Sequence, residues 1–218
     1  KESAMAKESL KSKAYNLIKT KIVNCEYAPG TFLNESMLMG EIGSSRTPIR
    51  EALSKLEQEN LVRILPKKGV MVSDLSVNEI NMIFETRLLI EPYIVKNYGQ
   101  FVPPEILTSM KDTFTRRHLL EISSEEIYSK DEQFHKLLIE SSKNVYFIHT
   151  MDHIYNQNYR LRVIAGNGSR DRIIASNDEH IHTIELMLAK KYDAASQAMK
   201  LHLEKAKEAS FSNFINSY

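Results

Sequence analysis

The sequence predicts a mostly α-helical chain in two parts: an N-terminal helix-turn-helix followed by a small β-hairpin, and a C-terminal antiparallel bundle of six helices. Apolar residues recur at helical spacing through most of the 218 residues, and strand character is confined to residues 61–72. The charge divides the chain in the same way. Residues 1–73 contain 12 Lys and Arg against 8 Asp and Glu, whereas residues 74–218 contain 17 against 20, so two domains with separate roles are expected.

The N-terminal domain is expected to begin with two short helices. The first covers residues 10–25, after which Pro29 and Gly30 break the chain. The second covers residues 34–42, where an asparagine is a favourable N-cap and Gly43 ends the helix. This close succession of short helices indicates a helix-turn-helix.

Residues 44–60 are expected to form a third helix with one apolar face and one basic face. Ser44 or Ser45 is a suitable N-cap. Arg46 and Arg50 lie one turn apart near the N-terminus, where the helix dipole disfavours positive charge. Because the helix itself offers them no favourable partner, the two guanidinium groups indicate an external anion, and double-stranded DNA fits best.

A β-hairpin is expected directly after the third helix. Residues 61–65 and 70–72 have strand character, and residues 66–69 supply turn chemistry with Lys67 and Lys68 at the tip. A helix-turn-helix places its second helix in the major groove, and a basic hairpin tip beside it can follow the phosphates of the same duplex. The hairpin is therefore expected to act as a wing.

The N-terminal domain carries four motifs in order: Pro29-Gly30, Leu33-Asn34-Glu35, residues 45–53 and residues 56–62. Together they resemble the winged-helix DNA reader of the GntR family of bacterial transcription regulators. The resemblance implies that dimers bind short palindromic operators and that the helix arginines read guanine edges. The residues expected to contact DNA are Ser45, Arg46, Thr47, Arg50, Lys67, Lys68 and Gly69.

The C-terminal domain, residues 74–218, is expected to be a run of helices with short connections. Ser76 and Glu79 form a capping box at the start of a helix that continues to Tyr98, and Pro92 lies inside it. The other five helices are expected over residues 103–121, 124–141, 144–165, 170–190 and 192–218. Such a run packs naturally as an antiparallel bundle.

Four polar residues interrupt the apolar faces of the bundle helices. Asp131 and His135 lie one turn apart on a single stripe, His180 shares a face with isoleucines, and His202 lies among alanines on the last helix. Burying a carboxylate is unfavourable unless a cation meets it. Three imidazoles and one carboxylate suit a divalent transition metal, with zinc, nickel, manganese and iron all chemically reasonable. The alternative is a set of hydrogen-bonded core residues.

The order and spacing of three segments, residues 131–135, 179–180 and 202–203, resemble the FCD effector domain found behind FadR-like GntR readers. The resemblance extends over residues 75–209. It implies that the aspartate and the three histidines hold a metal ion and that a small organic acid binds over this ion, with help from Arg87.

Three residues are expected to bind the effector: Arg87, Asn158 and Arg162. Each has a competing interpretation. Arg87 is also placed to form an ion pair with Glu91, one turn further along the helix. Asn158, Arg160 and Arg162 could line the pocket or could be solvated.

These features predict a metabolite-responsive DNA-binding transcription regulator, expected to be a repressor, with a small carboxylate as effector and a homodimer as the working species. Two alternatives remain. The first is a regulator that binds a larger ligand, such as an acyl-CoA, without metal. The second is an enzyme that uses the three-histidine, one-aspartate site to activate water. The enzyme interpretation lacks a placed general base and leaves the basic helix unexplained.

The compartment is predicted from cysteine usage and hydropathy. The single cysteine, Cys25, excludes an internal disulfide. The sequence has no apolar run long enough to span a bilayer and no signal-peptide pattern. A cytoplasmic protein without membrane contact is therefore expected.

Overall fold

The computed structural model describes residues 9–115, 123–165 and 169–216, and it divides into two compact units, Lys1–Leu75 and Ser76–Tyr218. Both units are built mainly from α-helices, which confirms the predicted fold class. Each unit encloses its own cluster of buried apolar side chains. None of the described helices is long and apolar enough to cross a bilayer.

Three helices form most of the first unit: α1 (Leu10–Val23), α2 (Glu35–Ile42) and α3 (Arg46–Gln58). The side chain of Asn34 caps α2 by accepting a hydrogen bond from the backbone N–H two residues on. Gly43 ends α2 in a left-handed conformation, with φ of 68°. The short turn that follows joins α2 to α3, so the predicted helix-turn-helix is present.

The ends of α1 and α3 differ in detail from the expected ones. α1 stops at Val23, and Cys25 just beyond it has a left-handed backbone with φ of 57°. Ser45 occupies the N-cap position of α3 without a side-chain cap hydrogen bond, and the buried Ser44 hydroxyl has no partner among the described residues. α3 ends at Gln58, two residues before the expected end, and Asn60 has a left-handed backbone with φ of 56°.

A three-stranded antiparallel sheet completes the first unit, with one strand more than the predicted hairpin. β2 (Val62–Leu65) and β3 (Gly69–Val72) form the hairpin, and β1 (Phe32–Leu33) pairs with the other edge of β3. A two-residue strand is too short to show an alternating pattern, so sequence periodicity could not reveal it. The extra strand ties the chain just before α2 to the wing.

The core of the first unit lies under α1, α3 and the sheet. Its fully or almost fully buried side chains include Ala14, Ile18, Ile22, Ile49, Ala52, Leu53, Leu56 and Val72. Since one face of α3 is committed to this core, its opposite face remains at the surface. That face carries the basic residues.

The second unit contains six α-helices among its described residues, as predicted. They are α4 (Val77–Tyr98), α5 (Pro104–Thr113), α6 (Ser124–Ser141), α7 (Val145–Ala165), α8 (Arg170–Leu188) and α9 (Tyr192–Asn216). A short 3-10 helix, Gly99–Phe101, follows α4. α5 ends at Thr113 rather than near residue 121, and residues 116–121 of the expected helix lie outside the described part of the chain.

α9 packs along both α4 and α8, while α4 also contacts α6 and α7. The predicted capping box at the start of α4 is present, because Ser76 and Glu79 each accept a hydrogen bond from the other's backbone N–H. Further along, Ser196 Oγ of α9 donates to the Pro92 carbonyl of α4 at 2.8 Å. Around this framework, α4, α6, α8 and α9 all direct polar side chains into the interior.

Candidate functional site

The four residues predicted to bind metal come together inside the second unit. Asp131 and His135 come from α6, His180 from α8 and His202 from α9, and one ligand atom of each lies within 4.8 Å of all the others. His180 Nε2 lies 3.2 Å from His202 Nε2 and 3.4 Å from Asp131 Oδ1. The same oxygen lies 3.9 Å from His135 Nε2. All four residues are buried, from 0% exposure for His180 to 6% for Asp131.

Helical spacing explains why α6 supplies two of the four. Asp131 and His135 are one turn apart, on the side of the helix that also carries the buried Phe134 and Leu138. Because those apolar neighbours pack into the core, the polar pair is withdrawn from water. It therefore depends on partners inside the bundle.

Glu91 of α4 fixes the ring of His135. Its Oε2 lies 2.6 Å from His135 Nδ1, and its Oε1 accepts a hydrogen bond from Arg87 Nε at 2.6 Å. With Nδ1 engaged, His135 presents Nε2 to the other three residues. This buried nitrogen has no hydrogen-bond partner within the described residues, and a metal ion would satisfy it.

Glu179 of α8 holds His202 in the same manner. Its Oε2 lies 2.8 Å from His202 Nδ1, and the carboxylate also accepts hydrogen bonds from Arg172, at 3.0 and 3.2 Å, and from Lys205, at 3.0 Å. His202 therefore directs Nε2 toward His180. A carboxylate on the second nitrogen of a ligand histidine fixes the tautomer and raises the basicity of the ligating nitrogen.

Arg162 of α7 orients Asp131. Its Nη2 donates to Asp131 Oδ2, which leaves Oδ1 beside the histidines. Burial raises the pKa of Asp131, but the charge of Arg162, with the nearby imidazoles adding to it, outweighs this effect and holds the pKa well below its ordinary 3.8. Burial likewise opposes ionisation of Glu91 and Glu179, yet their cationic neighbours lower each pKa to about 2. All three carboxylates are ionised at neutral pH.

Burial has the opposite effect on the histidines. It lowers the pKa of His180 well below the ordinary 6.5, and the neighbouring imidazoles add to this shift. It also lowers the pKa of His202, against the hydrogen bond to Glu179. Burial therefore favours the neutral form of His180 and His202, and neutral imidazole is the form that metal ligation requires.

The donor set fits one metal ion, and the shortest separations between its ligand atoms fit one as well. Two ligands bound to the same ion at about 2.0–2.2 Å lie at most about 4.4 Å apart. The pairs that join His180 to His202 and to Asp131, at 3.2 and 3.4 Å, fall inside this limit. Imidazole nitrogen and carboxylate oxygen together suit zinc, nickel, manganese or iron.

A small cavity opens beside this group, with about 220 Å³ of space when its opening to solvent is included, and all three predicted effector-binding residues line it. Arg87 forms the ion pair with Glu91 that was the alternative to effector binding, and Arg162 pairs with the carboxylate of Asp131. Both arginines still line the cavity. Asn158 and Arg160 are buried, so the interpretation of these two as solvated residues is wrong.

The predicted base-reading arginines lie on the exposed face of α3, with 61% of the Arg46 side chain and 62% of the Arg50 side chain accessible. Glu35, at the start of α2, contacts Arg50 Nε at 2.8 Å and Arg46 Nε at 3.4 Å. The expectation that the arginines lack a local partner is therefore wrong, because the turn between the helices brings α2 beside them. Both contacts use Nε and leave the Nη pairs that read guanine edges.

The remaining residues of the predicted DNA-binding set are also exposed. Ser45 and Thr47 flank the first arginine at the N-terminal end of α3. Lys67 and Lys68 lie in the turn between β2 and β3, and Gly69 is the first residue of β3; Lys67 has φ of 62° and Gly69 has φ of 106°. All seven residues belong to the first unit.

Sequence reasoning missed the roles of two glutamates. From the sequence, Glu91 was expected only to pair with Arg87. Glu179 was part of the segment with His180 and had no expected role of its own. A signal was present, because Glu91 lies on the buried stripe of α4, where a carboxylate needs more than one partner. Which histidine each glutamate meets depends on how the helices pack, and helical spacing does not contain that information.

Two family models match the chain. Residues 10–72 match the bacterial regulatory proteins of the gntR family, and residues 82–205 match the FCD domain. The chain is a GntR-family regulator with an FCD domain. This confirms the predicted resemblance, and both families are those of transcriptional regulators rather than enzymes. GntR-family regulators bind DNA operators, so the regulator described here is a DNA-binding protein.

Individual relatives agree with the family assignment. The HTH-type transcriptional regulator YdhC of Bacillus subtilis is 27% identical over 191 residues, which cover 86% of this chain and 85% of YdhC. The gluconate operon transcriptional repressor of Bacillus licheniformis is 28% identical over 136 residues, 60% of this chain and 54% of the repressor.

Solved structures share the fold. A GntR transcriptional regulator from Rhodococcus sp. RHA1 superposes with a TM-score of 0.79 at 18% identity, covering 94% of this chain and 99% of that one. The FCD domain of the regulator TM0439 has a TM-score of 0.52 in its Zn²⁺-bound form and 0.56 in its metal-free form, at 22% and 23% identity. The two forms cover 67% and 66% of this chain and 99% of their own.

Proposed function

We propose that this regulator is a metabolite-responsive repressor whose helical unit binds a divalent transition metal together with a small organic acid. The observation that carries the proposal is the buried group of Asp131, His135, His180 and His202, in which two imidazoles are held by glutamates. Zinc, nickel, manganese and iron fit the donors. The Zn²⁺-bound FCD domain of TM0439 supports the metal, and the gluconate operon repressor supports the sign of regulation.

The acid would bind in the cavity beside the metal ligands. A bound metal ion supplies a positive charge to which a carboxylate can coordinate. The chain itself supplies the guanidinium groups of Arg87 and Arg162 and the amide of Asn158. A guanidinium has five N–H donors, so each arginine can keep its present carboxylate partner while it donates to the acid.

On DNA, α3 would enter the major groove, where Arg46 and Arg50 read base edges while Ser45 and Thr47 contact the backbone. The wing residues Lys67, Lys68 and Gly69 would follow the phosphates. Arg50→Ala should weaken binding to the specific site by about 1–3 kcal/mol. Lys68→Ala should weaken binding to every sequence, and it should reduce the slope of log affinity against log salt concentration by about one. Equal losses on specific and random duplexes for both variants would contradict these roles.

The working species would be a two-fold dimer on a palindromic operator. One short recognition helix covers too few base pairs for useful specificity, and a palindrome doubles the number that is read. Sedimentation of the complex should give two chains per operator. A stoichiometry of one chain would overturn the dimer.

The acid can alter operator binding only if it binds one relative arrangement of the two DNA readers better than another. A coupling of about 1–3 kcal/mol is typical, and it would change operator affinity by roughly 5- to 150-fold. Because binding to the folded state alone raises stability, a positive thermal shift identifies acids that bind.

The central test compares the metal content of the wild type with that of the His135→Ala and His202→Ala variants. Both variants should lose metal and the thermal response to acids while the first unit stays folded. His149→Ala is a matched control, since this histidine is exposed on α7. Equal metal occupancy in all four proteins would show that the buried histidines are hydrogen-bonded core residues and not metal ligands.

A further inference from the structure

We propose that the acid effector carries an apolar body and that this body occupies a second chamber next to the metal-ligand group. This inference rests on the proposed function and specifies the chemical class of its ligand. The outer chamber, as we name it, encloses about 680 Å³ including its open mouth. Its walls come from α4, α6, α7, α8 and α9, and their apolar members include Phe84, Leu161, Ile173, Ala206, Ala209 and Phe214.

The outer chamber is continuous in its lining with the small cavity beside the metal ligands. Asp131, Asn158 and Arg162 line both spaces. A ligand bound with its polar end at these residues therefore has its other end directed toward apolar walls. The two spaces form one site with a polar inner end and an apolar outer end.

Asn158 supplies a polar group where the two spaces meet. The residue is 94% buried, since its exposure is 6%, and it lines both the small cavity and the outer chamber. A side-chain amide carries two N–H donors and a carbonyl acceptor. A carboxylate at this position would accept its N–H groups, and Arg162, which lies over the Tyr128 ring at 5.1 Å, would add a charge.

Small residues on α9 create the space. Ala206, Ala209 and Ser210 face the chamber where longer side chains would fill it, and Ile173 and Ser176 of α8 form the adjoining wall. Apolar walls around an open space are typical of a ligand site in which a few polar groups fix the orientation. Displacing water from such walls favours an apolar ligand group.

The outer end is a poor site for a second carboxylate. Arg172 is the other guanidinium in the chamber lining, and its charge is already balanced by Glu179, to which both of its Nη groups donate. A second carboxylate on the ligand would lie against mainly apolar side chains and lose part of its hydration without gaining an unbalanced cation, which is unfavourable. The expected class is therefore a monocarboxylate with an aliphatic or aromatic body.

Calorimetric titration of the full-length protein with acetate, butyrate and hexanoate tests this inference, with the protein saturated with Zn²⁺. Each methylene that becomes buried should tighten binding by about fourfold. We expect hexanoate to bind at least about tenfold more tightly than acetate and with a more negative heat-capacity change. Citrate should bind more weakly than hexanoate.

Ala209→Leu locates the apolar subsite. It should remove the advantage of hexanoate and leave acetate binding unchanged, because the added side chain fills the chamber away from the polar end. Ala194→Leu, at an exposed position on the same helix, should leave both affinities unchanged. The wild-type comparison needs no variant, so it decides the inference even where A209L does not fold.

The outcomes separate this inference from the proposed function. Equal affinities for acetate and hexanoate, or tighter binding of citrate, would overturn the apolar chamber while an acid-binding metal site still stands. An unchanged hexanoate advantage in A209L would overturn its location. Absence of binding by every acid would overturn both, and metal content measured on the same sample would then report whether the metal part of the proposed function survives.

Discussion

Each of the two site glutamates determines which nitrogen its histidine offers, but the two differ in what else depends on them. Glu91 is fully buried and also neutralises the buried Arg87. Glu179 keeps 15% of its side chain exposed, and its cationic partners Arg172 and Lys205 reach solvent. Loss of the first carboxylate should therefore affect stability, whereas loss of the second should affect mainly metal affinity.

Glu179→Gln should lower metal affinity by about 10- to 100-fold, because the orientation and basicity of His202 depend on the carboxylate, and it should reduce the free energy of unfolding less than the loss of Glu91 does. Competition with a coloured chelator measures the affinity. Glu185→Gln is the matched control, since that carboxylate lies on the same helix and is half exposed. An unchanged affinity would limit Glu179 to a structural ion pair.

Glu91→Gln should reduce the free energy of unfolding by about 3–5 kcal/mol, since it leaves the Arg87 guanidinium buried without a compensating charge. Urea denaturation of the metal-free protein measures the loss. The double variant Arg87→Met, Glu91→Gln should recover part of it, because neither charge remains. A double variant as unstable as the sum of the two single ones would show that the pair is not coupled.

Glu35→Gln should make DNA binding tighter but less selective. The carboxylate holds Arg46 and Arg50 and also repels phosphate, so its loss should raise the affinity for random duplexes. The difference in binding free energy between a selected site and random duplexes should decrease by about 1–3 kcal/mol. Fluorescence anisotropy at several salt concentrations measures both affinities. Glu51→Gln is the control on α3, the helix that carries the two arginines, and an equal loss of selectivity in this variant would remove the special role of Glu35.

Among the elements, the long periodic helices and their caps were predictable from the sequence. The capping box of Ser76 and Glu79 and the left-handed stop at Gly43 depend on residues within a few positions of each other. β1 and the early end of α5 were not predictable in this way. The first exists only because Leu33 pairs with Val70, 37 positions later, and such pairing is decided by tertiary packing.

Acid should destabilise the packing of α6, α8 and α9 in the metal-free protein. Burial lowers the folded-state pKa of His180 and His202 below 6.5, so the unfolded chain binds more protons and stability falls as the pH drops below 6.5. Asp131, Glu91 and Glu179 also have lowered pKa values, so they add a further loss as the pH falls below their ordinary values of about 4.

Urea denaturation in the presence of a chelator, at pH 7.5, 6.0 and 5.0, checks this sign. The free energy of unfolding should decrease at each step. His180→Gln should flatten the decrease between pH 6.5 and 5, whereas the exposed His149→Gln should leave it unchanged. Stability that rises on acidification would mean that the buried imidazoles are held in the charged form.

At the scale of the whole molecule, the two units should respond differently to metal. All four candidate ligands lie in Ser76–Tyr218, and Lys1–Leu75 has a separate core. A metal at 100 times its dissociation constant stabilises the folded state by about 2.7 kcal/mol. Chelation should therefore remove hydrogen-exchange protection from α6, α8 and α9 and leave α1 and α3 unchanged.

Adding zinc back should restore the lost protection, which controls for a direct effect of the chelator. Equal loss in both units would show that the first core depends on the second. No loss in either would contradict metal binding by the purified protein.

The DNA-binding and proposed metal-binding roles of the whole molecule were assigned from the sequence and the structure together. The sequence alone was enough to predict the DNA reader, because Arg46 and Arg50 lie within a continuous motif. The metal group was predicted from four polar positions on apolar stripes, yet the outer chamber and the two glutamate–histidine contacts were not. They arise where α4, α6, α7, α8 and α9 meet, and no single helix carries their pattern.

Burial of the four candidate ligands also separates two timescales. An ion held by all four is released only when every one of those contacts breaks inside a packed core, and opening a packed core is far slower than side-chain motion. An acid that enters and leaves through the open mouth of the outer chamber breaks only its own contacts with the ion and the cavity wall. The ion would then persist through many cycles of acid arrival and departure, so the regulator would follow the concentration of the acid while its metal content stays constant.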